Sequence, residues 1–154
     1  MIDTVLKYLI ENKITIATAE SCTAGMIAAR IGDMSGVSDV FSEGFVTYSN
    51  DAKVKNLGVA KEIIDTHGAV SEQCARAMAE GVARVTDSRL GVSATGIAGP
   101  TGGTGDKPVG TVFMGVCLDG VTTVEKCIFS GDRKQVRTQT VEAVFSHIKK
   151  RLQI

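Results

Sequence analysis

The stretch VGTVFMGVCLDGVTTVEKCIF, residues 109–129, decides the fold. Two runs rich in β-branched and aromatic residues, 109–118 and 121–129, flank Asp119-Gly120, and Asp-Gly between such runs signals a tight hairpin. Everything before and after it alternates between helical and strand signals. The hairpin therefore supplies the antiparallel part of an otherwise parallel arrangement.

Upstream, LGVSAT at 90–95 reads as a buried strand, and IAGPTGGTGDKP at 97–108 is too rich in glycine for regular structure. An Ala-rich helix over 71–86 begins at Ser71, a preferred cap residue. Before it come short helices over 50–57 and 61–66, stopped by Gly58 and by His67-Gly68, with Asn50 as the expected cap of the first. A strand signal spans 45–48, ITIAT at 14–18 is another, and helical spacing marks 22–31 and, with Asp3 as expected cap, 3–12. Downstream, a long helix covers 132–151. This order predicts an α/β domain, a mixed sheet covered on both faces. Ligands of such sheets gather where strand ends pass into loops, which points to 18–23, 48–53 and 95–108.

At 154 residues and 44% hydrophobic content the chain is expected to fold as one domain, residues 1–154, with its own core. Seventeen basic residues balance seventeen acidic ones, and no block of five like charges occurs. That leaves no footprint for nucleic acid or a membrane surface, and favours a small ligand held by a few local charges. No apolar run approaches the roughly 20 residues of a membrane-spanning helix. The four cysteines form no C-x-x-C pair, and no basic-then-apolar leader opens the chain, so a reduced, cytoplasmic setting is expected. The Ala-rich helix is a candidate face for a homodimer.

Three groups carry the chemistry. Thr18, Glu20, Ser21, Cys22 and Thr23 crowd five polar or reactive side chains into six residues before a predicted helix. Ser21 reads either as the helix cap or as a nucleophile beside the free amides of Cys22 and Thr23. A serine nucleophile needs a base. The two histidines, His67 and His147, read as surface or capping residues, which leaves Lys53, in a segment that also holds Tyr48. Lys53 reads as a solvated helix charge unless burial or positive neighbours lower its pKa. Cys22 is the alternative nucleophile. The loop at 96–110 is no Walker A sequence, because Pro108 follows Lys107 and a strand follows the loop. It is either a plain flexible loop or, through Gly96, Gly99, Gly102 and Gly103 with Thr95 at the strand end, a cradle for phosphate or ribose. Arg133 sits at the unfavourable end of its helix dipole, which invites an anion; Arg137, one turn on, is either a second anion ligand or solvated.

TAESCTAG (18–25), GFVTYSNDAK (44–53), HGAVSE (67–72), SATGIAGPTGGTGDKPVGTV (93–112) and SGDR (130–133) together resemble the CinA C-terminal domain family, which includes stand-alone nicotinamide-nucleotide amidohydrolases. The resemblance runs from about residue 3 to 150, with its motifs in order. It implies a three-layer α/β/α sandwich and hydrolysis of the carboxamide of nicotinamide mononucleotide to nicotinate mononucleotide and ammonia, a step of pyridine-nucleotide salvage with no cofactor and no metal. Carried over, the catalytic serine, lysine and tyrosine fall on Ser21, Lys53 and Tyr48, and the binding threonine and arginine on Thr95 and Arg133. Many members of that family have two glycines where this chain has Ala24-Gly25. A non-catalytic nucleotide-binding or regulatory module is the alternative that a glycine loop and an arginine also allow.

Overall fold

The computed structural model describes residues 1–154. Five strands, β1 (Ile16–Glu20), β2 (Phe41–Val46), β3 (Leu90–Gly96), β4 (Thr111–Leu118) and β5 (Val121–Ile128), form one sheet in the order β2-β1-β3-β4-β5. The first three are parallel, and β4 and β5 add antiparallel strands to one side. The hairpin turns on Asp119 at φ 49° and Gly120 at φ 82°, two successive left-handed residues that match the twist of the flanking strands. The mixed sheet expected from residues 109–129 is the one observed.

Helices cover both faces. On one lie α1 (Ile2–Glu11), α2 (Met26–Gly32) and α6 (Arg133–Leu152), packing Leu6, Leu9, Ile27, Ile31, Phe145 and Ile148 against Ile16, Leu90, Val92, Val112 and Met114. On the other lie α3 (Asn50–Leu57), α4 (Lys61–His67) and α5 (Glu72–Thr86), whose Leu57, Ile64, Cys74, Met78 and Val82 meet Ala17 and Ala19. Strand alternation divides β1 between the two cores, Ile16 facing one and Ala17 and Ala19 the other.

The alanines of α5 serve this packing. A Cβ at Gly91 would collide with the Ala79 carbonyl and one at Gly115 with the Ala75 carbonyl, so the helix backbone lies almost on the sheet. Ala75 and Ala79 are fully buried there, so this face of the helix packs within the chain. Ser93 stitches the contact, donating to the Ala75 carbonyl at 2.6 Å while accepting from the Gly115 amide at 3.1 Å.

Three expected caps are corrected. Ser49, not Asn50, caps α3, its hydroxyl accepting from the Ala52 amide. Asp3 lies inside α1 and pairs with Arg30 across to α2. Ser21 caps nothing: α2 begins only at Met26, and its Ile27 and Ala28 amides donate at 2.8 and 3.0 Å to the carboxylate of Glu20, which also accepts from the Thr23 hydroxyl at 2.6 Å. A completely buried carboxylate thus stands at the positive end of the helix, where three donors replace its lost water.

His147 is likewise no surface residue. It is 2% exposed between α6 and β5, with Nε2 2.8 Å from the Thr123 hydroxyl. Burial, ahead of the opposing pull of Glu125 and the push of Lys150 and Arg151, lowers its pKa below the usual histidine value.

Two outcomes follow for stability. Glu20→Gln keeps one carbonyl oxygen in place of two, leaves an α2 amide unpaired and costs about 1–3 kcal/mol in a urea melt. Because the unfolded chain binds the His147 proton more readily than the folded one, stability falls as pH drops through about 6.5; the fall in melting temperature between pH 7 and pH 5 is smaller in His147→Gln.

Candidate active site

The C-terminal ends of the parallel strands β1 and β3, and the segment after β2, open into one cavity of about 290 Å³. The three segments expected to hold ligand meet there: Ser21 and Cys22 from the first, Tyr48, Asn50 and Lys53 from the second, Thr95, Gly96, Gly99 and Gly102 from the third, with Arg133 from α6. A larger hollow of about 450 Å³ lies outside α6 between Ser130 and Gln139; no hydrophobic side chain lines it and it has none of these groups.

Ser21 follows directly on β1, its amide held by the Ala94 carbonyl of β3 at 2.9 Å. Lys53 lies in the first turn of α3 and is only 1% exposed, so it is not a solvated helix charge. Its Nζ stands 3.2 Å from Ser21 Oγ, 2.9 Å from the Thr47 carbonyl, 3.3 Å from that of Tyr48 and 3.5 Å from that of Ser49. The chain at 47–49 curls round the amine, and the Ser49 cap holds the curl to the helix. No carboxylate pairs with it. Burial lowers the Lys53 pKa below the ordinary lysine value, while the thiols of Cys74 and Cys22 act the other way. Of the two expected causes, burial does the work, and no positive neighbour contributes.

Cys22, 5% exposed, has its thiol pKa pushed up to about 11, first by burial and then by the charge of Glu20. A thiol so protonated is a poor nucleophile, since the thiolate is the reactive form. The Cys22 and Thr23 amides have no acceptor within the chain. Cys22 lines the cavity, whereas Thr23 is completely buried behind it and donates its hydroxyl to Glu20.

Arg133 donates to the Gly99 carbonyl at 2.9 Å and to the Tyr48 hydroxyl at 2.8 Å. Both partners are neutral, so the guanidinium keeps an uncompensated charge at the cavity. Arg137 is half-buried and does not turn to the cavity: it donates to the Cys22 carbonyl at 3.0 Å and the Thr23 carbonyl at 3.1 Å. The Thr95 hydroxyl donates to the Ala69 carbonyl at 2.8 Å, tying the segment before α5 to the end of β3. Gly103 does not reach the cavity; a Cβ there would press on the Val109 backbone at the base of the loop. His67 offers its carbonyl to Lys107 Nζ and stays outside the lining.

Sequence reasoning missed Ala69 and Val70 as lining residues, and the roles of Glu20 and Arg137 around the Ser21 turn. The only signal for Glu20 was an acidic residue at a strand end just before a helix, and nothing separated Arg137 from a solvated arginine.

The family model described as the CinA C-terminal domain matches residues 1–152. A protein of Clostridium perfringens strain SM101 named as competence-damage inducible is 52% identical over 147 residues, covering 96% of this chain and 36% of that protein. Its namesake in Clostridioides difficile strain 630 is 47% identical over 151 residues, covering 98% and 36%. The chain thus spans about a third of the length of the curated relatives it matches. Among solved structures, competence damage-inducible protein A from Klebsiella pneumoniae superposes with a TM-score of 0.94 at 31% identity, covering 98% of this chain and 94% of that one. A competence/damage inducible protein from Agrobacterium tumefaciens gives 0.92 at 36% identity, covering 96% and 90%. With its fold, its motifs and its whole length in agreement, the chain belongs to the CinA C-terminal domain family.

Proposed function

We propose that the chain hydrolyses the carboxamide of nicotinamide mononucleotide to nicotinate mononucleotide and ammonia, with Ser21 as nucleophile and Lys53 as its base. The observation that carries this reading is the 3.2 Å contact between Ser21 Oγ and an amine that burial drives toward its neutral form. An ammonium has three protons, and three carbonyls surround Nζ at 2.9–3.5 Å. The neutral amine has two, so donating both to carbonyls leaves its lone pair for the serine proton.

Lys53 takes that proton as Oγ attacks the carboxamide carbon. The oxygen that gains charge needs donors placed in advance, and the unpaired amide of Cys22 is the one nearest the nucleophile in the chain. As the carbon–nitrogen bond breaks, Lys53 passes its proton to the leaving nitrogen, which departs as ammonia. Water, losing a proton to Lys53, then cleaves the ester, and Ser21 recovers its hydrogen. Arg133 and the amides of the glycine loop face the phosphate and ribose, and their hold on remote groups positions the amide. Tyr48, 55% exposed and bonded to Arg133, serves in this reading to place that guanidinium rather than to donate a proton.

Ammonia release from nicotinamide mononucleotide tests this. Ser21→Ala loses at least about a thousandfold and Lys53→Met roughly 10²–10⁴-fold, while Cys22→Ala keeps most of the activity. Ammonia release that persists in Ser21→Ala overturns the serine route, and tight binding without ammonia from the native protein marks a regulatory module instead. Because the neutral amine is the active form, kcat/KM rises with pH through an apparent pKa below the ordinary lysine value of about 10.4. A profile without that limb removes Lys53 as the base.

A further inference from the structure

The turn that carries Ser21 is strained and is held from two sides. Ala24 has φ 48° and Gly25 φ 97°, so two successive residues are left-handed, and the first of them has a Cβ. Such backbone persists only where its surroundings enforce it. Inside the turn itself the restraints are the Ala24 amide on the Ser21 carbonyl and the Met26 amide on the Thr23 carbonyl, both at 3.1 Å. The stronger ones come from outside. Glu20 grips the Thr23 hydroxyl together with the start of α2, and Arg137 of α6 reaches across the chain to the carbonyls of Cys22 and Thr23.

Arg137 makes no ion pair with any carboxylate. Its Nε and Nη2 each donate to a separate backbone carbonyl, 3.0 and 3.1 Å away, a forked grip that a point-charge ammonium cannot copy. Peptide units are planar, so fixing these two carbonyls fixes the direction of the Thr23 and Ala24 amides and limits rotation of the turn about Cys22. The cation also polarises both peptide units it touches.

We infer that Arg137 is a positioning residue for the nucleophile: with Glu20 it clamps the strained 21–25 turn, so that Ser21 Oγ faces Lys53 and the Cys22 amide stays available to an oxyanion. This rests on the reading of Ser21 as nucleophile and deepens it. Arg133, one helical turn earlier, holds none of these carbonyls, so the clamp and the ligand-facing cation are separable.

A fluorophosphonate probe separates the outcomes, because it reports the serine and its oxyanion donors without requiring a particular amide substrate. Oγ bonds to phosphorus, fluoride leaves and the serine proton passes to Lys53. Intact-mass spectrometry follows the rate for the native chain, Ser21→Ala, Arg137→Met and Arg137→Lys, with each variant's melting temperature measured alongside. Ser21→Ala remains unlabelled. Arg137→Met labels roughly a hundredfold more slowly than the native chain, and Arg137→Lys, which restores one of the two bonds, falls between them. Binding of nicotinate mononucleotide, measured by calorimetry, stays within about threefold of native in both arginine variants. Should Arg137→Met not fold, the lysine variant carries the comparison. A folded arginine variant that labels at the native rate, or loses labelling and nucleotide binding in equal measure, overturns the clamp. If the native chain labels at Ser21 but releases no ammonia from nicotinamide mononucleotide, the substrate assignment falls and the clamp stands. No labelling of the native chain overturns the nucleophile and the clamp together.

Discussion

A lysine amine buried to 1% exposure, beside a serine hydroxyl and without a carboxylate, is the constraint around which the rest of the cavity is arranged. Removing an ammonium from water without an anionic partner is costly, and that cost holds the Lys53 pKa below the ordinary lysine value. The surrounding carbonyls of Thr47, Tyr48 and Ser49 offset part of the remainder. This arrangement requires that the chain leave β2, curl round the amine and enter α3 within a few residues. The Thr47 amide bonded to the Glu20 carbonyl at 2.8 Å and the Ser49 cap provide the two fixed ends of that curl.

Close backbone approach then brings the other walls in. Gly96 ends β3 where a Cβ would strike the Thr111 carbonyl and Val112 of β4, so the glycine loop leaves the sheet tightly and folds back over the cavity. Its return is hydrogen-bonded, Ile97 to the Thr111 carbonyl at 2.9 Å and Gly110 to the Ile97 carbonyl at 2.7 Å. The loop is thus tied at its neck, while Ala98, Gly99, Thr101, Gly102 and Gly103 between these bonds keep amides with no acceptor in the chain. Glycine there serves the geometry of the loop. Gly103, packed on the Val109 backbone and outside the cavity lining, serves that geometry alone.

Much of this was legible before any coordinates. The Asp119-Gly120 hairpin and the alternation around it gave the mixed sheet, and strand ends opening into polar loops gave the three segments that meet at the cavity. What was not legible depended on contacts distant in sequence. Glu20 and the α2 amides lie seven and eight residues apart across an irregular turn, so the nearer Ser21 stands in the sequence as the candidate cap. The burial of His147 depends on which face of α6 meets β5, and a helix with mixed polar and apolar residues leaves that face ambiguous. Family resemblance had marked a departure at Ala24, where glycine is common; its φ of 48° supplies the physical reason for glycine there.

The two arginines at the start of α6 show how charge is divided across the site. A chain with no net charge lines this cavity with fifteen residues, of which Lys53 and Arg133 are the basic members and none is acidic. In the proposed reaction the substrate brings a phosphate, and an anion beside Lys53 would favour the ammonium and silence the base. The phosphate must therefore sit away from the amine. Arg133 meets that requirement, because it is held at the half-open edge by Tyr48 and Gly99, while Lys53 lies sealed at the floor. Arg137, its charge committed to the carbonyls of Cys22 and Thr23, offers the anion no competing seat nearer the serine. In that reading one basic side chain is left to draw the anion, and it lies at the exposed edge of the cavity while the base is buried.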